Sequence, residues 1–211
     1  MFADDVITTV DLIRHGEPVG GRRFRGSQDD PLSEKGWQQM RNAVEHAAPW
    51  QRIVSSPLLR CRQFATELGT SLAVPVEIDN DFQEVHFGDW EGLTTAEVQA
   101  GWPGLLGKVW RDSIAHSPPG GEKLEDFQSR VAGAWESLLQ SRSGEHVMLV
   151  AHGGTIRLIL CHVLGVPLTG MWRFEVAYAS LTRLRVWHPN NGEPPTASLL
   201  AHGAHLRDMP Q

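Results

Sequence analysis

Three short apolar segments, residues 6–13, 52–54 and 147–150, constrain the fold of this 211-residue chain more than any other feature. Their β-branched residues favour strands, and a segment with helical spacing or a helix cap follows each of them along the chain. Strands that alternate with helices are typical of an α/β sandwich with a mainly parallel sheet. We therefore expect three layers: a central sheet with one antiparallel edge strand, and helices on both of its faces.

Capping residues and helix breakers mark where the predicted helices begin and end. Ser33 and Ser56 are predicted N-caps, and Pro57 is a predicted first helical residue. Pro49 and Gly69 are predicted stops. The predicted helices are the segments 33–47, 56–69, 124–139 and 156–164, and a further one that begins at Thr94 or Thr95.

Three further segments complete the predicted domain. Residues 181–187 alternate as an antiparallel strand does, and we expect them to pair with residues 197–201. The proline-containing segment 74–78 suits a strand at the edge of the sheet. Glycine and proline make the tract 101–121 irregular, so that residues 93–122 are predicted to form a small cap insertion in a single domain.

Charge and composition exclude several classes of function. The formal net charge is −6, and no basic tract is longer than Arg22-Arg23, which disfavours nucleic-acid binding. No segment reaches the roughly 18 apolar residues of a membrane span. The first residues lack the basic start and the apolar stretch of a secretory signal, so we expect a cytoplasmic protein.

The cysteines and histidines give no pattern of a metal site. Cys61 and Cys161 are too few for a disulfide framework, and we expect them to be reduced packing residues, with a single disulfide as the alternative. None of the ten histidines lies in a His-Glu-x-x-His or Asp-x-Asp pattern. The sequence therefore predicts a protein without a metal or another cofactor.

The tripeptide Arg14-His15-Gly16 follows the first predicted strand directly. A guanidinium binds phosphate oxygens as a fixed fork, and a neutral imidazole has a lone pair that can attack phosphorus. Gly16 is predicted to let the backbone turn at the strand end. The rival interpretations of His15 are a metal ligand and a structural histidine. The placement favours a phosphate site with His15 as its nucleophile.

Three other motifs accompany this tripeptide: SSPLLR at 55–60, EVHFGDWEG at 84–92 and AHGG at 151–154. With the four motifs in this order, the chain resembles the histidine phosphatase superfamily, also called the phosphoglycerate-mutase-like family, from Asp11 to about Gly165. The resemblance implies an α/β sandwich. It also implies hydrolysis or transfer of phosphate through a phosphorylated histidine, without a metal.

The resemblance also implies which residues form the site. His15 would become transiently phosphorylated, while Arg14 and Arg60 would bind the phosphate oxygens. His152 would stabilise the transition state, and the backbone N–H of Gly153 would add a donor. The alternatives are a structural role for His152, bonded to the backbone, and a solvated helix charge for Arg60.

The same resemblance makes Glu84 the general acid that protonates the leaving oxygen and later the base that activates water. Its rival is Glu91, for which we favour a role in fixing the loop. The family's common asparagine after the first motif is missing, so Arg22 or Arg25 is expected to replace its phosphate contact, with Gln28 lining the pocket. The alternative is that these loop arginines are merely solvated.

Segment 87–92 is similar to that of phosphatases rather than mutases. Segments 24–32 and 118–122 look like those of bacterial α-ribazole phosphatases, which act in cobalamin assembly. We therefore expect a phosphomonoesterase whose partner is a small phosphorylated metabolite, α-ribazole 5′-phosphate by preference, with a homodimer possible. The alternatives are a broad-specificity or sugar-phosphate phosphatase, a phosphoglycerate mutase, and a non-catalytic domain that binds phosphorylated ligands.

Overall fold

The computed structural model describes residues 6–45, 49–190 and 193–204, and it is built around a mixed sheet. The strands are β1 (Val6–Arg14), β2 (Arg52–Ser55), β3 (Val76–Ile78), β4 (His146–Ala151), β5 (Leu181–His188) and β6 (Thr196–Ala204). They lie in the order β3-β2-β4-β1-β5-β6. The first four are parallel, whereas β5 runs antiparallel to β1, and β6 antiparallel to β5. The expected mainly parallel sheet with an antiparallel edge is confirmed.

Helices cover both faces of this sheet, as expected. They are α1 (Glu34–Ala43), α2 (Leu59–Leu72), α3 (Thr95–Gly101), α4 (Leu105–Arg111), α5 (Leu124–Ser141) and α6 (Gly153–Leu164). Successive strand residues point to opposite faces. Leu12 accordingly belongs to the core formed with α5 and α6, and Ile13 to the core formed with α1 and α2. The result is a three-layer α/β sandwich.

Two predicted helix boundaries on α2 are wrong. The helix begins at Leu59 rather than after Ser56, because the backbone of Leu58 is still extended and the Ser56 hydroxyl contacts His152 instead of capping the helix. The helix also continues beyond Gly69 and ends at Ala73, which adopts a left-handed conformation with φ 54°. Gly69 serves packing: a Cβ there would lie 2.2 Å from the side chain of Val76.

Two other segments also differ from the prediction. Helix α1 ends at Ala43, and the predicted end at Ala47 lies outside the described residues. The tract 101–121 is not irregular throughout, because it contains α4. Helix α3 does begin as predicted, with Thr94 as its cap, since the side chains of Thr94 and Glu97 exchange hydrogen bonds with each other's backbone N–H.

The 93–122 segment, which contains α3 and α4, packs through an apolar cluster of its own. Val98, Leu106 and Val109 are buried there against Trp90, and Phe24 of the first loop joins them. The side chain of Trp90 is therefore a core residue. Because this cluster lies beside the loops that follow β1 and precede α3, it holds the segment next to the polar ends of the strands.

Cys61 and Cys161 are both buried as free thiols, which confirms that they are packing residues. They belong to different cores on opposite faces of the sheet, so the disulfide alternative is excluded. In the part of the chain that the structure describes, none of the helices combines the length and the apolar character needed to cross a membrane.

Candidate active site

The C-terminal ends of β1 and β4 bring two motif histidines together. Arg14 and Ala151 are register partners in these parallel strands, and the N–H of His15 donates to the carbonyl of Ala151 at 3.0 Å. His152 follows Ala151 directly, at the end of β4. The rings of His15 and His152 lie edge to face, with centroids 5.2 Å apart. Parallel pairing thus makes neighbours of two residues that are far apart in sequence.

Gly16 is needed for close packing rather than for a turn. A Cβ on Gly16 would lie 2.3 Å from the carbonyl oxygen of Gly36 in α1, and a Cβ on Gly36 would lie 2.1 Å from the carbonyl oxygen of Glu17. The two backbones therefore touch, and side chains on either glycine would separate them. This contact fixes the chain that leaves β1, and with it the backbone that carries His15.

The structure holds His15 as a neutral imidazole with one nitrogen available. Its Nδ1 lies 2.8 Å from the carbonyl oxygen of Gly16. Since a carbonyl only accepts, Nδ1 carries the proton, and Nε2 has the lone pair. Burial, followed by the positive charges of Arg60 and Arg14, holds the pKa of His15 well below its ordinary value. The ring can act as a nucleophile at neutral pH.

His152 is fully buried and is also kept neutral. Burial and the positive charges of Arg60 and Arg14 hold its pKa well below the ordinary value. Its Nε2 lies 2.6 Å from the hydroxyl of Ser56, which fixes the ring. The nearby thiol of Cys61 is not a competing nucleophile, because burial raises its pKa to about 12.

Arg14 offers positive charge and free donors beside these rings. One of its terminal nitrogens donates to the carbonyl of Val176 at 2.7 Å, and its guanidinium lies 4.1 Å above the centroid of the Tyr178 ring. Its Nε–H is buried and has no partner among the described residues. A buried cationic donor without an acceptor is costly unless a ligand supplies one. Arg14 is thus suited to an anionic ligand.

Arg60 is completely buried and acts mainly through its charge and the loop it holds. Its terminal nitrogens donate to the carbonyls of Gly26 and Gln28 at 2.7 and 2.6 Å, and to that of Arg25. Its Nε lacks a partner among the residues described. Arg60 is the charge that depresses the pKa of both histidines most. The solvated helix charge considered as an alternative is excluded.

Glu84 is anchored at the first turn of α6. One carboxylate oxygen accepts from the N–H of Gly154 at 2.9 Å, and the other accepts from the N–H of Val85 at 3.0 Å. A Cβ on Gly154 would lie 2.2 Å from the Glu84 carboxylate, so only glycine admits it. Its acidic side chain suits a helix N-terminus, where N–H groups point outward.

Glu91 has a different environment, which agrees with the loop role favoured for it. Its carboxylate accepts from the backbone N–H groups of Ser27, Gln28 and Phe87. These bonds tie the first loop to the segment before α3. Glu91 does not line the cavity beside His15, whereas Glu84 does.

The three loop residues predicted to bind substrate have different positions. Arg25 is buried, and its guanidinium donates to Asp30 and to two backbone carbonyls, which favours a structural role although it borders the cavity. The exposed side chain of Gln28 donates to Asp30 and does not reach the cavity. Arg22 is exposed; its charge reaches Arg14 electrostatically and helps burial to lower the pKa of Arg14.

A cavity of about 200 Å³ opens between the strand ends and the 93–122 segment. Five of the predicted site residues line it: Arg14, His15, Arg25, Glu84 and Gly153. His152 and Arg60 lie behind it. Among the described residues, no group of three His, Cys, Asp or Glu side chains is arranged to hold a metal ion.

Several cavity residues were missed in the sequence analysis. Arg157 of α6 lies five residues after His152, whereas side chains on one face of a helix are three or four residues apart, so the AHGG motif does not indicate it. Trp172 and Tyr178 also line the cavity. Both come from the segment between α6 and β5, for which no motif signal exists.

Comparison with known proteins identifies the family. The model of the histidine phosphatase superfamily (branch 1) matches residues 10–192. The glucosyl-3-phosphoglycerate phosphatase of Mycolicibacterium vanbaalenii is 37% identical over 167 residues, which cover 74% of each chain. A 2,3-bisphosphoglycerate-dependent phosphoglycerate mutase of Gloeobacter violaceus is 31% identical over 176 residues, or 79% of this chain and 80% of the mutase. The chain spans only 48% of the bifunctional protein Rv2228c of Mycobacterium tuberculosis, with 34% identity.

Solved structures have the same fold. A mycobacterial glucosyl-3-phosphoglycerate phosphatase superposes with a TM-score of 0.82 at 31% identity, covering 93% of this chain and 99% of that one. The α-ribazole phosphatase of Shigella flexneri superposes with a TM-score of 0.78 over 93% of this chain and 96% of that one, and at 24% identity it shows the fold alone. With its motifs gathered at one edge of the sheet and most of its length matched, the chain belongs to the histidine phosphatase superfamily (branch 1).

Proposed function

We propose that this protein is a metal-independent phosphomonoesterase that forms a phosphohistidine on His15. The observation that carries the proposal is the neutral tautomer of His15. Its Nδ1 donates to a carbonyl, its pKa is depressed, and the ring lines a cavity with Arg14 and Glu84. A neutral imidazole with a free Nε2, a cation and an acid in one cavity are the groups that transfer to histidine needs.

In the first step, Nε2 of His15 attacks phosphorus, and the bond between phosphorus and the leaving oxygen breaks. Glu84 gives a proton to that oxygen, and the alcohol departs. In the second step, Glu84 takes a proton from a water molecule, the water oxygen attacks phosphorus, and the bond to His15 breaks. Arg14 and the N–H of Gly153 neutralise the charge that develops on the phosphoryl oxygens.

Two substrates are candidates, and different observations support them. The loop motifs 24–32 and 118–122 favour α-ribazole 5′-phosphate. The 37% identity with the phosphatase of Mycolicibacterium vanbaalenii favours glucosyl-3-phosphoglycerate. The two differ in the leaving group: the first carries an aromatic base and no carboxylate, and the second carries a carboxylate and a sugar.

Hydrolysis of p-nitrophenyl phosphate in the presence of EDTA tests the reaction class. We expect turnover that EDTA does not reduce and that vanadate inhibits, because arginines and backbone N–H groups do the work of a cation. If EDTA abolished the activity and added metal restored it, the protein would be a metallophosphatase instead.

The kcat/KM values for the two candidate substrates and for 3-phosphoglycerate then decide the substrate. Comparable values would indicate a broad-specificity phosphatase, and isomerisation of 3-phosphoglycerate would indicate a mutase.

A further inference from the structure

A second arginine, Arg157 of α6, lines the cavity together with Arg14, and no motif assigns it a role. Its Nε–H donates to the carbonyl of Phe174 at 2.9 Å, and its guanidinium lies 5.4 Å from the centroid of the Trp172 ring. These contacts fix the plane of the group. Within the described residues its terminal nitrogens have no hydrogen-bond acceptor and no carboxylate partner, so they are left to the cavity.

Arg157 lies on the side of the cavity that the 93–122 segment forms, because the Trp172 ring beside its guanidinium donates to the hydroxyl of Ser113 at 2.9 Å. In an in-line displacement the nucleophile and the leaving oxygen stand on opposite sides of phosphorus. Because His15 stands at the strand ends on the other side of the cavity, a guanidinium beside the 93–122 segment faces the leaving group rather than the nucleophile.

Burial makes this unpaired charge expensive. It lowers the pKa of Arg157, and the charges of Glu84 and Glu175 oppose that shift. A guanidinium in a partly buried wall is stabilised by an acceptor that matches its fork, and a carboxylate fits that fork with two parallel hydrogen bonds. The phosphate already has Arg14 and the N–H of Gly153 as donors, so Arg157 is the cation left for a second anion.

We infer that Arg157 binds a carboxylate in the leaving group, so that the preferred substrates are phosphate esters of hydroxy acids. This inference rests on the proposed phosphatase activity. Its main rival is that Arg157 binds the phosphate as Arg14 does, because a Cβ on Gly153 would lie 3.1 Å from Arg157 Nη1 and 3.4 Å from Arg14 Nε. The two interpretations differ in which substrates depend on Arg157.

A matched pair of substrates separates them. 3-Phosphoglycerate and glycerol 3-phosphate differ only in a carboxylate where the second has a hydroxymethyl group. We expect the wild type to prefer 3-phosphoglycerate by about tenfold or more in kcat/KM, which is the size of one charge-assisted contact. Arg157→Gln should remove most of this preference, and Arg157→Lys, which keeps the charge without the fork, should retain part of it.

Arg173→Gln is the matched control, because Arg173 is exposed and does not line the cavity. It should keep both the preference and the basal rate. Thermal melting checks that each variant is folded. An equal loss of kcat/KM by Arg157→Gln on 3-phosphoglycerate, glycerol 3-phosphate and p-nitrophenyl phosphate would overturn the inference in favour of phosphate binding. A wild type that hydrolyses p-nitrophenyl phosphate without preferring the acid would overturn it too, and would leave the phosphatase activity standing. No hydrolysis of any ester would reject both.

Discussion

The chemistry of this site is decided at individual nitrogen atoms. His15 and His152 are neutral because they are buried beside the fixed charges of Arg60 and Arg14. A protonated imidazole would have no lone pair for phosphorus, so in the proposed mechanism the arginines have two roles: they attract the phosphate, and they keep the nucleophile unprotonated. Motif residues could be predicted from sequence because their chemistry is specific to residue type, whereas Arg157 and Tyr178 could not, since only the fold brings them to the cavity.

The depressed histidine pKa values predict a pH-dependent stability. In the unfolded chain a histidine titrates near its ordinary pKa of about 6.5, whereas His15 and His152 in the folded protein titrate well below it. Below about pH 6.5 the unfolded state therefore binds more protons, and the free energy of unfolding falls as the pH is lowered. Urea unfolding at pH 7.5, 6.5 and 5.5 should show a loss of at most about 1.4 kcal/mol per pH unit for each histidine.

His15→Asn removes one of the two groups, so its stability should fall less steeply between pH 6.5 and 5.5 than that of the wild type. Asp11, whose pKa is lowered from 3.8, contributes only at more acidic pH and does not affect this comparison. Parallel curves for the wild type and the variant would contradict the depressed pKa of His15.

Substitutions of Glu84 and Glu91 should differ in how strongly their effect on hydrolysis depends on the leaving group. Glu84→Gln is expected to slow hydrolysis of an alkyl phosphate such as glycerol 3-phosphate by about 100-fold or more, and that of p-nitrophenyl phosphate much less, because p-nitrophenolate leaves without a proton. Glu91→Gln weakens the loop contacts of Ser27 and Phe87 and should affect both substrates alike. Steady-state kcat/KM values measure the ratio, and leaving-group selectivity in Glu91→Gln alone would transfer the acid role.

At the scale of elements, a buried ion pair joins β1 to β5. Asp11 of β1 and Arg183 of β5 are joined by two hydrogen bonds of 2.7 and 2.8 Å. Trp50 and His146 donate to the same carboxylate. Burial by itself would raise the pKa of Asp11, but the hydrogen bonds from Arg183 and His146 lower it, so the carboxylate is ionised in the sheet.

Asp11→Asn should therefore destabilise the protein by about 3–5 kcal/mol, since it breaks the buried ion pair by removing the charge of the carboxylate that accepts two hydrogen bonds from Arg183. Urea denaturation measures the change. Glu67→Gln is the control, because its partner Arg41 is exposed and solvent weakens that pair. A similar, small shift for both variants would show that the buried pair does not anchor β1 to β5.

The elements themselves could be predicted where a periodic pattern and a cap agree, and not where tertiary contacts decide. Thr94 was a correct start for α3 because its reciprocal bonds with Glu97 are local. Ser56 was a wrong start for α2 because its hydroxyl contacts His152, 96 residues away in sequence. Gly69 was a wrong stop because its missing side chain makes room for Val76.

At the scale of the whole molecule, the parallel strands and the 93–122 segment form different sides of the cavity. The strand ends bring His15, Arg14 and Gly153 to one side of the cavity, while the 93–122 segment contributes Val109 and Ser113 to the other. The fold class followed from the alternation of strands and helices. The leaving-group side of the cavity could not be predicted, because tertiary packing, and none of the four motifs, brings Val109 and Ser113 to it.

The most direct measurement is rapid-quench labelling with a substrate that carries a radioactive phosphoryl group, performed in EDTA. We predict acid-labile, base-stable phosphate on the wild type, with the label on His15 and its formation faster than steady-state turnover. His15→Ala should take up no label and should lose turnover by several orders of magnitude while remaining folded. Label on another residue, no covalent label during turnover, or a His15→Ala variant with the wild-type rate would contradict catalysis through a phosphohistidine at His15.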